Sequence, residues 1–128
     1  MNTDNIGVQM RKGILEFCVL HIINRGEVYA SDLLEELTTA QMVVVEGTLY
    51  PLLTRLKNTE LVTYRWEESN SGPPRKYFVI TEKGKAFLAS LDTAWEEMVS
   101  SVEAIRKKQQ VFLIQPSPEN SNPKLLPE

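Results

Sequence analysis

Thr48, Tyr50, Thr54, Arg55 and Lys57 crowd hydroxyls and cations into ten residues, and Arg75-Lys76 add a second cationic pair after a Pro-rich stretch. Groups of this kind make hydrogen bonds and charge contacts with phosphate oxygens and base edges. A solvated helix face would carry the same composition, so the residues alone leave both readings open. Bond-making chemistry has no comparable set. His21 is the single histidine and sits in an apolar run, and Cys18 is the single cysteine. No Gly-rich phosphate loop follows a strand, and no serine stands beside a base. The carboxylates follow helix faces instead of converging as a pair. A binding protein is therefore expected, not an enzyme, with no catalytic residue, metal or cofactor. His21 is read as a core residue, and Cys18 as a small core hydrophobe instead of a redox sensor.

A chain of 128 residues, 42% hydrophobic and 24% charged, fits one domain of ordinary size with an appended element. Its longest apolar stretches, Phe17 to Ile23 and Met42 to Val45, fall short of the roughly 18 residues a membrane span needs. With no apolar signal core behind basic residues at the N-terminus, a cytoplasmic protein is expected. The net charge of −3 is unevenly spread. Residues 46–86 hold seven basic and five acidic groups, whereas residues 26–45 hold four acidic groups and no basic one. The stretch with the hydroxyls and cations is thus the most positive part of an acidic chain, which permits local phosphate attraction.

Certain elements must position those residues. Met10 to Asn24 reads as a helix apolar on most of its circumference, hence central to the core, with Gly26 as its stop. Ser31 and Asp32 offer an N-cap and a first-turn negative charge for a short second helix with Leu33, Leu34 and Leu37 on one stripe. Met42 to Val45 suit an extended segment that pairs with a later hairpin. A third helix runs from Glu46 to about Thr59 on Leu49, Leu52, Leu53 and Leu56, with Pro51 tolerated near its start. Residues 61–66 and 76–80 read as strands, and the nine residues between them, Glu67 to Arg75, as a long loop stiffened by Pro73 and Pro74. Helix, hairpin and further helix in that order predict a mainly α fold with a small β-hairpin wing: a winged helix-turn-helix over residues 6–80.

Thr81 reads as the N-cap of a last helix. Leu88, Leu91, Trp95, Met98, Val102, Ile105, Gln109 and Phe112 then follow at alternating steps of three and four. A helix over residues 81–112 is too long for one small domain to cover, so a second copy is expected along this seam and the protein is read as a homodimer. Residues 113–128, with four of the seven prolines and no aromatic residue after residue 114, read as a disordered tail.

These pieces together resemble the PadR family of transcriptional regulators. The resemblance covers about Arg11 to Ser100 and rests on Glu46-Gly47-Thr48-Leu49-Tyr50-Pro51-Leu52-Leu53 with Arg55-Leu56, then Trp66, Gly72, Arg75-Lys76-Tyr77-Phe78, Ile80-Thr81, Gly84 and Trp95. It implies a winged helix-turn-helix, a C-terminal helix swapped across a dimer, and repression of a nearby operon. By position it assigns Thr48, Tyr50 and Arg55 to the DNA-recognition helix, Tyr29 to the start of the supporting helix, and Arg75 and Lys76 to the wing. Val45 departs from the small polar N-cap common in such sequences, Glu60 from a usual glycine, and Ala30 from the glycine after Tyr29. Trp95 reads first as a packing residue of the seam. In some related regulators a tryptophan here stacks on flat aromatic compounds, and Met10, Gly13 and Phe17 are placed to line the same space for a planar aromatic effector. The expected function is a dimeric repressor on a two-fold operator. A winged-helix protein-interaction adaptor with little DNA affinity is the alternative.

Overall fold

The computed structural model describes residues 14–113, with side chains through residue 108. Met10, Gly13 and nearly all of the expected tail lie outside the described residues. In chain order the elements are α1 (Leu15–Arg25), α2 (Ala30–Thr39), α3 (Glu46–Asn58), β1 (Val62–Ser69), β2 (Gly72–Ile80) and α4 (Glu82–Leu113). The chain divides into two compact units that part between Leu91 and Asp92. This division falls within α4, because the first turns of that helix belong to the core of the first unit.

That core is built from leucines at helical spacing. α1 contributes Val19, Leu20, Ile22 and Ile23, α2 contributes Leu33 and Leu37, and α3 contributes Leu49, Leu52, Leu53 and Leu56. Each such side chain, once buried, stabilises the fold by about 1.5–3 kcal/mol before entropy is counted. One sequence expectation for α1 needs adjusting, while Gly26 ends the helix as expected. His21 is half-buried and meets Phe17 edge-on at 4.8 Å, so it lies at the core's margin and not within it. Gly26 turns its amide back to the Ile23 carbonyl at 3.2 Å in an extended conformation that any residue adopts. Cys18 packs against the core as a hydrophobe would, and burial pushes its thiol pKa up.

α2 begins earlier than its Ser-Asp pair suggests. Tyr29 is the N-cap, and its backbone N–H donates to the Asp32 carboxylate at 3.4 Å. Asp32 thus acts from the first turn, where a negative charge also suits the helix dipole. The segment 42–45 is extended but forms no strand: Met42 donates to the Leu37 carbonyl at 2.7 Å, and Met42 and Val44 turn inward while Val43 and Val45 are exposed. This alternation is what makes the stretch look like a strand. The bridge to the hairpin comes instead from Val28, which exchanges two backbone hydrogen bonds with Phe78, at 2.6 and 3.3 Å.

Val45 caps α3 by backbone alone, its carbonyl accepting from the Thr48 and Leu49 amides at 3.0 Å each. Pro51 is inside α3, past the first turn, so the Gly47 carbonyl loses the amide donor it would have four residues on. α3 ends on Thr59, and Glu60 then takes φ 65, the left-handed conformation glycine adopts most easily. This accounts for the glycine that the family pattern favours there.

β1 and β2 pair antiparallel from Val62↔Ile80 to Ser69↔Gly72. The ribbon is longer and its turn tighter than the nine-residue loop expected, because Pro73 and Pro74 sit within β2. A register shift between Glu67 and Ser69 accommodates them. Beyond the ribbon, Thr81 ties α3's exit to α4. Its hydroxyl lies 2.7 Å from the Glu60 carbonyl and 3.0 Å from that of Leu61, and accepts the Gly84 amide at 2.9 Å as a true N-cap.

Candidate nucleic-acid interface

An open groove of about 640 Å³ runs in the first unit between α3, the start of α2 and the ribbon. Tyr50, Thr54 and Lys57 line it from α3, Tyr29 and Ser31 from α2's start, and Tyr64, Arg75 and Lys76 from the ribbon. No carboxylate is among its lining residues. Three cations with five hydroxyl-bearing neighbours and no acid make a surface for anions, so the acidity of the whole chain is kept away from this face.

The side chains are held by their neighbours. Arg75 donates to the Tyr29 hydroxyl at 2.8 Å, and its guanidinium lies 4.9 Å from the same ring's centre. Tyr29 in turn meets Tyr77 edge-on at 5.2 Å. Tyr77 carries Arg65 over its ring at 5.0 Å, and Arg65 bonds Glu27 at 2.7 Å. That bond with Glu27 raises the Arg65 pKa, and ring burial together with Glu67 raises that of Tyr77. Arg75 stands opposite Glu67 in register. It does not pair with it: Arg65 approaches Glu67 at 3.4 Å instead. Among the described residues neither Arg75 nor Lys76 has a carboxylate partner within ion-pair distance.

The structure gathers some of the expected site residues and separates others. Tyr29, Tyr50, Arg75 and Lys76 share the groove. Thr48 and Arg55 are exposed but lie on the other flank of α3, about 140–160° from Tyr50 at roughly 100° per residue. Helical spacing of the polar residues, like that of the leucines, separates the two sets. Ser31, Tyr64 and Asn58 also line the groove and were not anticipated. Tyr64 was legible only as an alternating strand position.

The long helix also splits. Leu88 is 3% exposed in the core of its own chain and Leu91 packs against that core. A heptad spacing says that a residue is covered and not by which chain, so these two expected seam residues are already occupied within the first unit. In the second unit Trp95, Met98, Val99, Val102 and Ile105 are 38–67% exposed along a single helix. Among the described residues no helix is long and apolar enough to cross a membrane, and no cluster of ligating side chains suits a metal ion.

Three helices, a two-stranded ribbon bridged by Val28 and a following long helix, with the anion-seeking groove beside the third helix, define a winged helix-turn-helix DNA-binding regulator. The chain belongs to the transcriptional regulator PadR-like family, whose model matches residues 19–90. Members are transcription regulators, not enzymes. Among solved structures, a PadR-like transcription factor from Bacteroides fragilis is 50% identical, with a TM-score of 0.67, over 79% of this chain and 98% of that one. A PadR-like transcriptional regulator from Bacillus cereus is 35% identical, with a TM-score of 0.69, over 85% of this chain and 99% of the other. A PadR family transcriptional regulator from Eggerthella lenta is 27% identical, with a TM-score of 0.74, over 80% and 90%.

Proposed function

We propose that the protein is a cytoplasmic dimeric repressor that sets two copies of α3 into successive major grooves, centred about 34 Å apart, with the ribbons on flanking phosphates. The observation that supports it is the acid-free groove beside α3, where Arg75 is presented by Tyr29 with no carboxylate to neutralise it. Tyr50 reads from the groove side of α3 and Arg55 with Thr48 from the far flank. Residues 81–112 supply the dimer contact, chiefly through Trp95, Met98, Val102 and Ile105.

Arg75→Ala tests the wing. Binding to every duplex should weaken by about tenfold, and the slope of log Kobs against log salt should flatten by about 0.9 per protomer, as expected for one lost phosphate contact. Wild-type affinity at all salt concentrations would remove the wing from the mechanism.

Release by a planar aromatic effector would act through Trp95, a residue that is 38% exposed. In a Trp66→Phe background, stacking should quench Trp95 emission as a phenolic acid or flat aromatic drug is titrated. Emission unchanged across such a panel leaves Trp95 to packing alone.

A further inference from the structure

Lys57 reaches Tyr64 from α3 and Lys76 reaches it from β2, their ammonium nitrogens 5.3 and 4.3 Å from the centre of one ring. Lys76 also lies 5.3 Å from the Trp66 ring. An aromatic face attracts a cation by only about 0.5–1 kcal/mol at an exposed site, and two like charges gathered at one ring repel. Among the described residues neither lysine has a carboxylate within ion-pair distance, and none lines the groove they share. Such an arrangement leaves the shared groove open to an anion. Lys57 and Lys76 line the same groove beside Tyr64, so a phosphate oxygen seated there has an ammonium donor available from α3 and from the ribbon, at the roughly 2.8 Å of a charge-assisted contact.

We infer that Lys57, Tyr64 and Lys76 form a site for a single backbone phosphate of duplex DNA, clamped between the reading helix and the ribbon. The inference rests on the DNA-binding reading and deepens it: α3 and the wing grip the same phosphate, and Tyr64 is the positioning residue that sets both lysines. Arg75, held by Tyr29, serves a separate phosphate. Because the two lysines come from elements far apart in sequence, the site also fixes how α3 and the ribbon are spaced on the strand.

The test is fluorescence anisotropy on a labelled mixed-sequence duplex across a salt series, with Lys57→Gln, Lys76→Gln and the double variant, and Arg75→Ala as an internal standard. One shared phosphate predicts that the double variant flattens the salt slope by about 0.9 per protomer, the same change as Arg75→Ala. A change of about 1.8 means two independent phosphates, and no change means no contact; either result overturns the site. All variants should melt cooperatively within a few degrees of wild type, since each cation–ring contact they replace is worth only about 0.5–1 kcal/mol. A wild-type protein that binds no duplex at any salt concentration would instead sink the DNA-binding reading beneath it. If Arg75→Ala flattens the slope while the lysine variants do not, that reading stands and only the clamp falls.

Discussion

Replacing Gly84 by alanine should unfold much of the first unit near physiological temperature. A Cβ on this residue would fall on the Leu61 carbonyl oxygen, with the Ile80 Cγ1 at 2.7 Å. The isoleucine can turn aside; the carbonyl cannot, because it accepts the Thr81 amide at 3.1 Å and lies 3.0 Å from the Thr81 hydroxyl. Relief therefore requires α4 to lift from the end of α3, breaking the N-cap and uncovering Leu88 and Leu61. A loss of about 3–4 kcal/mol is expected, among the largest a single substitution causes. For a unit of this size that lowers Tm by roughly 12–30 °C in a circular-dichroism melt. Lys85→Ala, one residue on and exposed, is the control and should melt as wild type. If Gly84→Ala melts within a few degrees of wild type, the close approach of α4 to Leu61 is wrong.

The second large effect belongs to the proposed dimer. Met98 and Val102 are one helical turn apart and 51% and 47% exposed. Met98→Glu with Val102→Glu should leave the first unit's melting unchanged, because neither residue belongs to its core. In a paired seam each copy would bury two unpaired carboxylates, and breaking a buried contact in this way costs about 3–5 kcal/mol for an uncompensated charge. Sedimentation at micromolar concentration should then show a monomer, and operator affinity should fall by orders of magnitude, because half-sites are no longer bound together. A variant that still sediments as a dimer places the subunit contact elsewhere.

Much of the fold could be read from residue spacing, and the failures share a cause. Leucines at steps of three and four located α2 and α3 because a helix core face leaves few other ways to cover them. The start of α3 near Glu46 follows from Pro51, expected within about its first turn, and the central place of α1 from an apolar run that covers most of its circumference. What could not be read was which of several satisfied patterns the tertiary structure uses. The strand-like alternation at residues 42–45 comes from packing Met42 and Val44, while Val28, with no strand signal around it, makes the bridge to Phe78. Pro73 and Pro74 looked like a loop and lie in a strand, since one missing amide can face the ribbon's open edge and the register shift interrupts the ladder opposite the other. At the site, composition showed cations and hydroxyls in one stretch. Only the folded chain shows that Tyr50 and Lys57 share a groove with Tyr64, Arg75 and Lys76, with Thr48 and Arg55 turned from them.

The paired prolines of β2 also bear on how the protein behaves when concentrated on DNA. An unprotected β-ribbon offers a row of amides and carbonyls on which a neighbouring ribbon can add, and dimers crowded on adjacent operators would bring such edges together. Pro73 and Pro74 remove two successive donors from the ribbon's distal half, and the register shift there kinks it. The distal half of β2 is thereby a poorer template for a neighbouring ribbon, which disfavours edge-to-edge association of molecules bound side by side.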